Sequence, residues 1–295
     1  MDITSASEAL KIIENFENST ATDSGDAFLY VEALKYLMDE TGEAQYTSRL
    51  GGYYYEQRRF DLALKYYEAA AQDGDLHATD ALGYIWYYGR TGETDYEKAF
   101  DYFSRASEMG SLTSAVKIAD MYKNGYFVEK NYDEYKRRIM ELYPKVRNAK
   151  YLNEPLPEVY MRLAGIYIKD GSNDNAHQFL ADARPFLEQR MMNNPFFGTL
   201  NQINWLISDY YAITEFDPDS FELYDLFHVL KKTAKVRFLY DGDAYEVESA
   251  DGETEPEICL DGKWYRSCKD FLLKAEISGR RITALCYDLY GFEVI

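Results

Sequence analysis

Cysteine, histidine and positive charge are all scarce in this chain. Of 295 residues, three are cysteine, three histidine and seven proline. The cysteines, Cys259, Cys268 and Cys286, all fall near the C-terminal end, in odd number and with no CxxC spacing. That pattern excludes a disulfide framework and a zinc ribbon and reads as free thiols in a reducing compartment. His77, His177 and His228 are far apart on separate predicted elements, so no histidine pair is poised for catalysis or metal binding. Lys plus Arg total 32 against 51 Asp plus Glu, a net charge of −19. A surface of that sign disfavours phosphate backbones and anionic membrane, so neither nucleic acid nor membrane is an expected partner. No run of about 18 apolar residues exists to span a bilayer. The opening MDITSASEAL has no basic region followed by an apolar run, so no signal peptide is expected. The expected setting is the cytoplasm.

Catalytic motifs are missing too. There is no Gly-rich phosphate loop, no HExxH and no GxSxG. Asp241-Gly242-Asp243 begins like a calcium loop. Tyr245 then stands where an oxygen ligand is needed and Glu246 where a glycine is needed. No catalytic, cofactor-binding or metal-binding residue is therefore expected, and the chain does not read as an enzyme. An enzymatic alternative would place its site in the C-terminal region, around Cys268, where a first helical turn favours a thiolate.

Tyrosine is what the chain has in excess, 29 in all. It is favoured on binding surfaces as well as in cores. Many of these tyrosines belong to an internal repeat. Residues 78–110 and 114–136 superimpose at a shift of 36: Leu82 on Ile118, Gly83 on Ala119, Trp86 on Tyr122, Gly89 on Gly125, Tyr96 on Tyr132. Upstream, Leu50-Gly51 matches Leu82-Gly83 at a shift of 32, and Ala63, Tyr67, Ala70 and Gly74 match Ala99, Phe103, Ala106 and Gly110 at 36. Each unit predicts two helices joined by a Gly-containing turn, the second capped by Asp or Asn. Small residues in the first helix allow the second to approach closely, and aromatics fill the remaining space. One such hairpin cannot bury its apolar face alone, so the units must stack.

The pattern Ala78, Leu82, Gly83, Trp86, Gly89, then Asp95, Lys98, Ala99, Tyr102, then Ala106 and Gly110, resembles the Sel-one-like repeat, a relative of the tetratricopeptide repeat. The match extends over about residues 43–136 and departs in the third unit, where Tyr135 replaces the packing alanine. The resemblance implies a mainly α protein, a right-handed α/α solenoid that works as a scaffold for other proteins. It also implies that first helices line a concave face. On that basis the outward positions are His77, Asp80, Tyr84, Tyr87 and Tyr88, with Tyr55 holding the place of Tyr87 one unit earlier. Trp86 and Tyr54 hold core positions. Two readings of the outward tyrosines stand: display in a groove, or packing along the stack.

Flanking segments continue the helical period: 5–17, 26–39, 155–170, 173–192, 196–213 and 218–232. From about residue 233 the period becomes alternating. Strands are predicted at 235–240, 244–249, 257–260, 263–266 and 281–287, with hairpin turns at Asp241-Gly242 and Asp261-Gly262. Ser267 with Asp270 marks a further helix start. The expected division is thus a helical solenoid over 1–232 and a small α+β module over 233–295. Residues 117–150 hold nine basic and five acidic side chains, a local reversal of sign that includes Lys136-Arg137-Arg138. The function expected is non-catalytic binding of a protein or peptide through the concave face. The alternative is an acidic inhibitor or immunity-type protein that masks a basic partner.

Overall fold

The computed structural model describes residues 3–18, 24–147, 155–231, 234–250, 252 and 255–295. It divides into two compact units, one up to Arg138 and the other from Ile139. The boundary expected between residues 232 and 233 lies outside the described residues.

The first unit is a succession of helical hairpins: α1 (Ala6–Asn18) with α2 (Ser24–Thr41), α3 (Ala44–Glu56) with α4 (Phe60–Gln72), and α5 (Leu76–Tyr87) with α6 (Tyr96–Glu108). These are followed by α7 (Leu112–Asn124) and the opening turns of α8 (Tyr132–Val146). Side-chain caps start the later helices. Asp75, Asp95 and Ser111 accept from the backbone N–H three residues on, and Asn131 accepts from Glu134 N–H. Each such cap is worth about 1 kcal/mol.

The repeat's small residues do what their spacing demands. A Cβ on Gly51 would stand 2.8 Å from the Tyr67 ring, and one on Gly83 would stand 2.4 Å from the Phe103 ring. In these two hairpins the second helix lies against a bare backbone, and Tyr67 and Phe103 are sealed from solvent. In the third unit Tyr135 is buried at the start of α8, so replacing the packing alanine does not abolish the helix. The irregular first hairpin closes on Ala9, Ile13, Ala33, Leu34 and Leu37, with Phe16 stacked on Tyr30 at 4.2 Å.

The second unit takes up the rest of α8, then α9 (Leu156–Lys169), α10 (Asn173–Asn193) and α11 (Phe197–Ile213). The helix expected over 218–232 is broken: 3-10 turns at Pro218–Ser220 and Leu223–Asp225 precede a four-residue α12 (Leu226–Val229). The reason is Asp225. Its carboxylate accepts the Glu222 N–H and receives both terminal nitrogens of Arg184 on α10, at 3.2 and 3.0 Å. A continuous helix would carry it away from both.

Five antiparallel strands follow in the spatial order β4-β3-β2-β1-β7: β1 (Lys235–Tyr240), β2 (Asp243–Ala250), β3 (Glu257–Leu260), β4 (Lys263–Tyr265) and, last in the chain, β7 (Tyr290–Val294). Between them lie α13 (Cys268–Lys274), capped by Ser267 as expected, and a two-residue hairpin of β5 (Glu276–Ile277) with β6 (Arg280–Arg281). Asp241, Gly242, Asp261 and Gly262 all have positive φ, between 48° and 85°, as tight hairpin turns require. The strand expected at 281–287 does not form. Its apolar residues Ile282 and Leu285 are buried one 3-10 turn apart, and the edge of the sheet is instead taken by β7. The sheet region packs on the helices of its unit. Phe221 meets Phe292 at 5.2 Å, and the Tyr287 hydroxyl donates to Glu188 on α10 at 3.2 Å. No helix among the described residues is long and apolar enough to cross a membrane.

Two helical glycines should respond to the same substitution with opposite sign. Gly83→Ala must displace the buried Phe103 ring and is expected to lower stability by about 1–3 kcal/mol. Gly165 in α9 has nothing within 4 Å of a new Cβ, so Gly165→Ala should raise stability by about 0.5–1 kcal/mol through helix propensity. Thermal melting of the two variants beside the parent checks both.

Candidate functional site

Helix α5 buries Ala78, Leu82, Gly83 and Ile85 and turns Tyr84 and Tyr87 to the flank. Tyr88 follows at its end. Tyr84 and Tyr88 stand four apart, which puts them on one face. Their rings are nearly parallel, 6.1 Å apart at 12°. Tyr87 meets Tyr88 edge-on at 5.0 Å. Both Tyr84 and Tyr87 rest against the buried Phe103, at 5.2 and 6.1 Å. Tyr87 continues the aromatic run to Tyr96 and Tyr126, which stack on each other at 4.5 Å. The rings are therefore anchored at the base and open at the tip: Tyr88 is 48% exposed.

Two cations complete the face. Lys117, one hairpin on in α7, places its Nζ 5.3–5.5 Å from the centroids of Tyr84, Tyr87 and Tyr88 and donates to the Tyr88 hydroxyl at 3.2 Å. Arg90 lies 5.3 Å from the Tyr88 ring centre, and its Nε donates to the Tyr55 hydroxyl at 3.1 Å. Through Arg90, Tyr55 of α3 joins the tyrosines of α5. Ammonium over a tyrosine face is attractive by about 0.5–1 kcal/mol at exposed sites.

Of the six outward residues expected from the sequence, Tyr55, Tyr84, Tyr87 and Tyr88 thus come together. The other two are tied elsewhere. His77 is exposed, with Nδ1 3.1 Å from Ser48 Oγ and its ring 5.9 Å from that of Tyr67. Asp80 accepts the hydroxyls of Ser111 (2.8 Å) and Ser114, so its charge pins α5 to α7. Lys117, Arg90, Tyr96 and Tyr126 were not singled out by sequence. Lys117 opens the stretch of locally positive charge, of which the sequence singles out only the basic triplet 136–138. Arg137 and Arg138 of that triplet pair with Glu134 on their own helix, at 2.6 and 2.7 Å, and Arg138 also lies over Tyr122. The hydrogen bond from Arg137, with the nearby charge of Arg138, holds the Glu134 carboxyl down to about 2.

The thiolate that the enzymatic alternative would need at Cys268 is not favoured. Cys268 does open α13, but burial pushes its thiol well above the ordinary value, and Glu255 adds to the rise. The cavity of about 220 Å³ that it lines, with Asn204, Phe227, Lys231 and Lys269, contains neither histidine nor arginine. A second cavity, of about 280 Å³, lies beside Arg184 and Glu188. There Arg184 is held by Glu188, Glu222 and Asp225, Asp225 also accepts from Tyr211, and Tyr287 donates to Glu188. Every charge at its base is thus engaged in joining α10 to the segments that follow. Among the described residues no cluster of three or more His, Cys, Asp or Glu is arranged to hold a metal ion.

The chain is similar to two solved Sel-one-like repeat structures. One is a Sel1 repeat protein from Oxalobacter formigenes, 17% identical, with a TM-score of 0.49 over 68% of this chain and 85% of that one. The other is a protective antigen of uropathogenic Escherichia coli strains that displays an SLR fold, 14% identical, with a TM-score of 0.48 over 76% of this chain. The chain spans about half the length of that second protein, 52%. No protein-family model matches the chain, and no curated protein matches it.

The tyrosine face should have a signature at alkaline pH. Burial is the main cause that pushes the Tyr87 hydroxyl above its ordinary 10.0, with the charge of Asp120 next. The raised value favours the neutral phenol in the folded state. Its contribution to stability is complete below the unfolded value and is lost as pH rises past it. Tyr87→Phe should therefore lose less melting temperature than the parent between pH ~8 and pH ~11. Equal losses in parent and variant would contradict the assignment.

Proposed function

We propose that the protein is a non-catalytic scaffold that binds a protein or peptide through the tyrosine face of its helical repeats. One observation carries this reading. Side chains from two successive hairpins, Tyr55 from one and Tyr84, Tyr87 and Tyr88 from the next, gather on a single partly exposed surface. Tyrosine offers a large, stiff contact area with little rotamer freedom to lose, which suits a face that must capture a flexible segment. The base of the face rests on the buried ring of Phe103, so the contact surface is formed in advance and less ordering is needed on binding. In this reading residues 1–232 carry the binding surface and residues 233–295 form a module that covers α10 and α11. Three cysteines without disulfides suit a reducing compartment such as the cytoplasm. The reading in which an acidic surface masks a basic partner draws on net charge alone, whereas this face presents Lys117 and Arg90.

The test separates binding from folding. Selection from a random peptide display library is run on the parent and on the Tyr84→Ala/Tyr88→Ala variant, with melting measured for both. The parent is expected to enrich a sequence family that the variant does not, each lost anchor weakening the selected peptide by about 1–3 kcal/mol. The variant should still melt cooperatively. Equal enrichment on both proteins would reject the face. Loss of the melting transition would assign these tyrosines to the core.

A further inference from the structure

We propose that the tyrosine face recognises an acidic segment, with carboxylates received by Lys117 and Arg90 and neighbouring side chains laid on the rings of Tyr55 and Tyr88. The inference rests on the binding reading above and adds the chemistry of the partner. It comes from the convergence of two cations on one exposed ring. Some cations of this unit are matched to carboxylates, Lys98 to Asp95, Arg105 to Asp101, Arg137 and Arg138 to Glu134, while Arg59, Lys65 and Lys123 each lie over a tyrosine ring. With 51 acidic side chains against 32 basic ones, a carboxylate is easy to find. Yet Lys117 and Arg90 have none among the described residues. Their partners are tyrosines alone: three rings and one hydroxyl for Lys117, one ring and one hydroxyl for Arg90. Both cations flank the same exposed ring, Tyr88.

Two acidic groups, Asp80 and Asp120, lie near this face and keep their charges. The Asp80 carboxylate is directed at the hydroxyls of Ser111 and Ser114. Asp120, three residues after Lys117 on α7, raises the Tyr87 hydroxyl by its charge. Tyrosine rings and hydroxyls hold a cation in place without cancelling its charge. An incoming carboxylate can therefore add a charge-assisted hydrogen bond while each cation keeps its ring. A basic segment would meet two like charges at the exposed end of the face and lose on approach. The field of the remaining −19 protein repels an acidic partner at long range, but salt screens it beyond about 10 Å, whereas the local pair acts at contact.

Two synthetic peptides test this by isothermal titration calorimetry. They share the same leucine and tyrosine positions and differ only in carrying glutamates or lysines between them. The glutamate peptide is expected to bind, to weaken as salt rises, and to lose about tenfold or more in affinity in Lys117→Ala or Arg90→Ala. The double reversal Lys117→Glu/Arg90→Glu should move the preference to the lysine peptide. Preference of the parent for the lysine peptide, equal binding of both, or binding of neither overturns the inference. Tyr88→Ala tells the two readings apart. If the glutamate peptide is lost in Tyr88→Ala but unaffected by Lys117→Ala and Arg90→Ala, the face binds and its acidic preference is wrong. If Lys117→Ala abolishes binding and Tyr88→Ala does not alter it, the tyrosine reading fails while the cation site stands. Cooperative melting of each variant confirms that the comparison is between folded proteins.

Discussion

The contact between a glycine backbone and an aromatic ring is the constraint on which the binding face depends. Gly83 leaves room for Phe103 to lie directly on α5, and Phe103 is then completely buried. Tyr84 and Tyr87, one and four residues after Gly83 in α5, lean on that same ring. The fold and the candidate site thus share one support. A Cβ at residue 83 would shift Phe103, and the tyrosines above it would follow. The equivalent contact between Gly51 and Tyr67 closes the preceding hairpin, from which Tyr55 reaches Arg90. In such arrays each unit is stable only against its neighbours, so a face assembled from two hairpins inherits the stability of the stack.

The second unit depends on a different kind of contact. Arg184 is nearly enclosed and receives three carboxylates, from Glu188, Glu222 and Asp225. Burial pushes the Glu188 carboxyl up, while Arg184 pulls against that rise. Leaving one buried member of such a set without its partner costs roughly 3–5 kcal/mol. The network breaks the segment after α11 into short turns and, through Tyr287, ties the strand-rich part to α10. It specifies geometry more than it adds stability. Glycine against ring organises the repeats; charge against charge organises the region that follows them.

Much of this was legible in the sequence. The hairpins of residues 43–136 were readable because their closing contact needs a small residue and a ring at fixed spacing, and both kinds of residue are visible in a sequence. The tyrosines of the face were readable for the same reason: a helix fixes which positions share a side. His77 and Asp80 lay on that side as well, but a side chain's partner is not a matter of periodicity. Asp80 found hydroxyls in α7, and His77 found one in α3. Lys117 and Arg90 were not legible because a single cation carries no pattern and their tyrosines lie 29 to 35 positions away or just beside them. In the C-terminal region the alternation of RITALCY imitated a strand. Its buried residues satisfy a 3-10 turn equally well, and the true edge strand, YGFEV, is exposed on both faces and so shows no alternation of burial. The Arg184–Glu188 spacing of four was the one local sign of the charge network.

The central claim is that a peptide sits on Tyr55, Tyr84, Tyr87 and Tyr88 while the fold beneath stays as it is. Ring-labelled tyrosine NMR measures this most directly, since each ring reports its own surroundings. On titration with a peptide selected by the protein, the signals of these four tyrosines should move, with Tyr88 moving most. Those of the buried Tyr67 and Tyr135 should stay where they are. Shifts confined to tyrosines of the second unit, such as Tyr287 and Tyr290, with the α5 tyrosines unmoved, would contradict the account.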